Sequence, residues 1–95
     1  MAVAFSVTGA MVGNATTTTL DIICPSGLVT NDILIGFINS KENQVVTFPS
    51  TEVDGIGAWT KFVESNNTTA QRVTIAWARV TDGTNASGNT VSVTK

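Results

Sequence analysis

Pro25-Ser-Gly-Leu-Val-Thr-Asn-Asp-Ile-Leu-Ile-Gly-Phe-Ile-Asn-Ser40 joins a turn to the most apolar run in the chain, Ile33 to Ile38. Apolar residues fall on both parities of that run. A half-exposed strand would alternate apolar with polar residues, so Asp32 to Ser40 is expected to be a central strand covered on both faces. Pro25-Ser-Gly27 and Thr30-Asn-Asp32 supply the turn chemistry that feeds the chain into it.

Working outward, Val3, Phe5 and Val7 alternate with Ala4, Ser6 and Thr8, the pattern of a half-buried strand. Gly9 to Asn14 reads as a turn region. Thr16 to Cys24 opens on four consecutive threonines, which disfavour helix and suit a pleated surface. Its Leu20, Ile22 and Cys24 face one way and Thr17, Thr19 and Asp21 the other. After the central strand, Lys41 to Gln44 is a polar loop of hairpin length. Val45 to Phe48 is a short strand stopped by Pro49, and Ser50 to Ala58 is the longest irregular stretch. Trp59 to Ser65 resumes strand character with a parity too mixed to orient. Gln71 to Thr81 alternates Val73, Ile75 and Trp77 with Thr74, Ala76 and Ala78, so that both faces can be covered. Thr90 to Thr94 is a last alternating strand. About seven short strands separated by turn chemistry, with no helical period, predict an all-β fold. The expected form is a single antiparallel β-sandwich domain over residues 1–95, immunoglobulin-like or jelly-roll-like.

A chain of 95 residues is expected to bury roughly 60–65% of its unfolded surface, enough for a core without covalent staples. The single cysteine, Cys24, lies among Ile22, Ile23 and Pro25 and is expected to be a buried, inert thiol. Five cations are scattered among seven acids, for a net charge of −2, which excludes nucleic-acid binding through a basic face. Sixteen threonines supply much of a neutral polar surface. Met1 to Leu20 carries no charge and hence no basic region ahead of an apolar core, so no export signal is expected. No apolar run approaches the length of a membrane span. Every charge except Lys95 lies between Asp21 and Asp82, so the first and last strands have unguarded edges. Such strands are either interior to their sheets or meet a partner.

Little here suggests catalysis. Histidine and tyrosine are absent, which removes the commonest general base and most nucleophile pairs. Glu52 and Asp54 are expected to be solvated loop carboxylates, because nothing nearby would raise one pKa selectively. Asp82, Asn85 and Asn89 could offer oxygen ligands to calcium, but one carboxylate is too few and turn chemistry accounts for them better. No catalytic residue, cofactor or metal is expected. Trp77, with Ile75 and Arg79 on its parity, is expected in the core, with Arg79 able to lie along its indole. Trp59 is expected in the core too, its rival role being a stacking platform for a sugar ring.

With the strands placed, four segments stand out: Pro25-Ser-Gly27 leading to Asn31-Asp-Ile-Leu-Ile-Gly-Phe37; Phe48-Pro49 leading to Gly57-Ala-Trp-Thr60; Val73-Thr-Ile-Ala-Trp-Ala-Arg-Val-Thr-Asp-Gly83; and Thr90-Val-Ser-Val-Thr94. Together they resemble a β-sandwich module of tailed-bacteriophage virions, found in capsid decoration (cement) proteins and in tail and fibre domains. The resemblance spans about residues 16–94, with Ala58 as an insertion between Gly57 and Trp59. A module standing alone with its own Met1 resembles a decoration protein. The resemblance implies a virion protein made in the host cytoplasm, with the major capsid protein or another virion protein as partner. A homo-oligomer is expected, a trimer being the form that matches a capsid threefold. The candidate contacts are Val3, Phe5 and Val7 of the first strand, with Met11, Val12 and Asn14 of the next loop. The alternative is a tail or fibre domain that binds host carbohydrate through Trp59.

Overall fold

The structure, a computed structural model, describes residues 19–41, 44–67 and 71–94. Five strands and one helical turn run in the order β1 (Thr19–Ile23), β2 (Ile33–Lys41), β3 (Thr60–Asn67), β4 (Gln71–Arg79), α1 (Gly83–Ala86) and β5 (Thr90–Thr94). They form two antiparallel sheets, one of β1 and β5, the other ordered β2-β4-β3. The all-β expectation holds, with five strands among the described residues in place of about seven. The expected strand Val3 to Thr8 lies outside the described residues. Val45 to Phe48 contributes only one bridge, in which Thr47 and Thr94 exchange backbone bonds of 2.7 and 3.0 Å.

Alternation decides which side chains turn inward. Val91 and Val93 of β5 are buried, as are Thr74, Ala76 and Ala78 of β4 and Ile38 and Ser40 of β2. Buried residues from both sheets join Val46, Phe48 and Ile56 in one apolar cluster, against which Leu20, Ile22, Leu34 and Trp59 pack. The inner side of β4 carries the small, fully buried residues Ala76 and Ala78. Phe48 and Trp59 lie 5.0 Å apart between ring centroids, tilted by 31°. Gly36 of β2 makes the room: a Cβ there would meet Phe48 Cε1 at 2.9 Å and Trp59 Cζ3 at 3.3 Å.

The expectation of a central, doubly covered Asp32–Ser40 strand is not met among the described residues. Among the described residues β4 is the central strand, and β2 has β4 on one side only. Pairing between strands far apart in the chain sets this order, and parity within β2 carries no information about it. The mixed parity of Trp59 to Ser65 has a local cause. Lys61 pairs with Ala76 and Val63 with Ile75, so Phe62 is the extra residue of a β-bulge.

Turn chemistry closes one end of the molecule. Asp32 Oδ2 accepts from Val29 N at 2.9 Å, while Asn31 takes φ +79°. Val53-Asp54-Gly55-Ile56, within the stretch expected to be irregular, is a two-residue hairpin turn. Val53 and Ile56 exchange bonds of 2.9 and 3.0 Å, and Asp54 and Gly55 both have positive φ. That is the backbone an Asp-Gly pair favours. The turn docks on the chain leaving β4, with Gly55 O accepting from Thr81 N and Asp82 N at 2.8 and 3.1 Å. Ser87 Oγ accepts from Leu28 N at 2.9 Å and donates to Gly83 O, tying α1 to the Pro25–Asn31 loop.

Candidate functional site

The outer face of the three-stranded sheet gathers four exposed large apolar side chains, Ile33, Ile35, Phe37 and Trp77. Its rows follow from the register. Ile33 pairs with Arg79; Ile35 with Trp77, which pairs with Thr60; Phe37 with Ile75, which pairs with Val63; and Asn39 with Val73, which pairs with Ser65. Residues paired directly across antiparallel strands point to the same side. Ile35 is 69% exposed, Phe37 64%, Ile33 55% and Trp77 40%. Large apolar side chains in adjacent rows are unlike the scattered single exposures normal on a soluble surface.

The sequence produces this face because β2 and β4 are apolar on both parities. The inner parity of β4 ends in small residues that fit the core. The outer parity ends in Val73, Ile75 and Trp77, and no described element covers them fully. Placing Trp77 in the core was therefore incorrect: its indole belongs to the outward parity of β4. Arg79, at the end of the face, donates from its guanidinium to Asn31 Oδ1 at 2.6 Å. The remaining described charges nearby sit on the inward parity of the sheet's β3 side, where Glu64 receives both Lys61 Nζ at 3.2 Å and Arg72 at 3.3 Å.

The other sequence candidates separate cleanly. Val3, Phe5, Val7, Met11, Val12 and Asn14 lie outside the described residues. Trp59 is half-buried against Phe48, as expected for a core residue. Cys24 is buried and unpaired by disulfide, and burial raises its thiol pKa. Glu52 and Asp54 are both exposed, Asp54 within the hairpin turn and Glu52 just before it. Asp82 caps α1, its Oδ1 accepting from Asn85 N at 3.3 Å, and Asn89 Nδ2 donates to Asn85 O at 3.2 Å. These are turn and cap roles. Among the described residues no group of three His, Cys, Asp or Glu side chains is placed to hold a metal ion, and no helix is long and apolar enough to cross a membrane.

The apolar face was the feature missed by sequence reasoning. Its signal was the run Ile33 to Ile38 itself, since a strand apolar on both parities serves either a second covering layer or an interface. Comparison with protein-family models, with curated proteins and with solved structures gave no match.

Proposed function

We propose that this protein is a virion structural module of the tailed-phage β-sandwich type, serving as a capsid decoration (cement) protein. It works by adhesion and catalyses nothing. The observation that carries the reading is the apolar outer face of the β2-β4-β3 sheet, where Ile33, Ile35, Phe37 and Trp77 stand in solvent. Two antiparallel sheets sharing one apolar cluster support the sandwich. Exposed apolar surface of this extent is a feature of proteins that live assembled. The partner is the major capsid protein or another virion protein, and many weakly bound copies stabilise the assembled shell by mass action. The residues of the uncharged first strand and its loop, from Val3 to Asn14, remain candidates for the capsid contact.

The test uses heads of the encoding phage prepared without this protein. Purified protein added to them should co-sediment with the heads and raise the temperature at which the shells melt. Failure of both would overturn the reading.

The carbohydrate-binding alternative is favoured less. Trp59 shares its ring surface with Phe48. The exposed indole, Trp77, is bordered by Ile35, Ile75 and Thr60, which offer few hydrogen-bonding groups to sugar hydroxyls. Glycan-array binding that disappears in Trp59→Ala would reverse this preference.

A further inference from the structure

We infer that the outer face of the three-stranded sheet takes a second copy of this chain, packed face to face about a twofold axis. The inference rests on the reading that this face is where the protein adheres, and it names the occupant.

The layout of the face is self-complementary. Its middle rows, Ile35-Trp77 and Phe37-Ile75-Val63, are apolar. One end carries Arg79, and the other carries Asn39 and Ser65. An apolar centre bounded by polar residues is the anatomy of a protein interface. Among the described residues, the centre of the face has no charge and no buried polar group to select a foreign surface, and charge is what usually sets partner choice and register. A twofold axis that lies in the interface and runs across the strands turns one copy end over end on the other. It lays the Arg79 end of each copy over the neutral Asn39 end of its mate, so the two guanidiniums stay apart. Apolar rows then meet apolar rows at the ordinary sheet-to-sheet spacing of about 10 Å.

The size of the face sets the strength. Three strands about 4.8 Å apart and about nine residues long, at about 3.3 Å per residue, give a footprint of roughly 400 Å². A standard interface buries about 800 Å² per partner, so this contact falls at the weak end of specific association. The dimer is therefore expected to dissociate in the micromolar range and to tighten when copies are held side by side on a lattice.

Sedimentation equilibrium of the full chain across micromolar to millimolar concentrations tests the inference. The parent should pass from monomer to dimer. Ile35→Asp and Phe37→Asp should each weaken the dimer at least tenfold while keeping the parent's circular dichroism and a cooperative melt. Val45→Asp, at an exposed apolar position off this face, should dimerise like the parent. A parent that stays monomeric throughout would overturn the inference, as would a dimer indifferent to both face substitutions. The head-binding assay separates this outcome from the proposed role. A monomer that still binds heads removes the twofold dimer and leaves the role standing, whereas a face-dependent dimer that binds no heads removes the role alone.

Discussion

Gly36 sits inside a strand, where glycine ordinarily weakens the structure by about 0.5–1 kcal/mol relative to alanine. Its value lies in what a methyl group would strike, the Phe48 ring at 2.9 Å and the Trp59 ring at 3.3 Å. Both rings belong to the packed core, so neither can swing away freely, and overpacking of this kind costs about 1–3 kcal/mol. The packing penalty exceeds the gain in strand propensity. Gly36→Ala should therefore lower the thermal midpoint by roughly 5–10 °C in a chain of this size; an unchanged or higher midpoint would show that the rings yield. Cys24 allows a pH argument. Burial raises its thiol pKa, so the folded chain keeps that proton to higher pH than the unfolded chain does. Above the unfolded thiol value the folded state binds more protons, and stability must fall as pH rises toward the folded value. The contribution is fully present at neutral pH. Urea-unfolding midpoints taken from neutral to alkaline pH should decline more steeply in the parent than in Cys24→Ala; parallel slopes would contradict the burial of the thiol. The burial of Cys24 was legible from its apolar neighbours, whereas the need for glycine at position 36 was not, because its partners lie at positions 48 and 59.

The Val53–Ile56 hairpin shows what a short segment can and cannot reveal by itself. Asp54-Gly55 between two apolar residues is a turn signature with a mechanism, since both positions need positive φ. Reading Ser50 to Ala58 as irregular passed over it. What local sequence does not show is where the turn docks. A Cβ on Gly55 would come within 2.5 Å of the Asp82 backbone oxygen, and Gly55 O holds the amides of Thr81 and Asp82. Gly55→Ala combines left-handed backbone strain with a clash against main chain that cannot rotate aside. A loss of about 3 kcal/mol in urea-unfolding free energy is expected. Asp54→Asn, which tolerates the same φ, should change stability by no more than about 0.5 kcal/mol. Equal effects from the two substitutions would refute the docking argument. β3 offers the parallel lesson. Its unreadable parity was itself the signal, because one extra residue at Phe62 shifts every later side chain to the opposite face.

For the whole molecule, β-class, turn positions and most strand spans were legible because they rest on local period and turn residues. Strand order was not, since it depends on β2 finding β4 across the intervening β3. That gap is why Asp32–Ser40 reads as the middle strand, a place that β4 takes among the described residues. Apolar residues on both parities of β2 and β4 were assigned two covering layers, and the fold supplies one among the described residues. The distinction can be measured on the isolated protein. If Ile35 and Phe37 are exposed as found, at 69% and 64%, the double substitution Ile35→Thr with Phe37→Thr removes apolar surface that was already wet. Threonine keeps the β-branched character that suits a strand. The unfolding free energy, measured well below the dimerisation range, should then stay within about 1 kcal/mol of the parent, as for surface positions. Native-state binding of an apolar fluorescent dye should drop as the patch shrinks. Were the side chains instead part of a core, losing one large aliphatic and one aromatic would cost several kcal/mol, on the scale of about 2–5 kcal/mol for each large-to-small core change. A loss of that size in the dilute monomer would mean that the chain covers this face itself, and the surface for adhesion would have to be sought elsewhere.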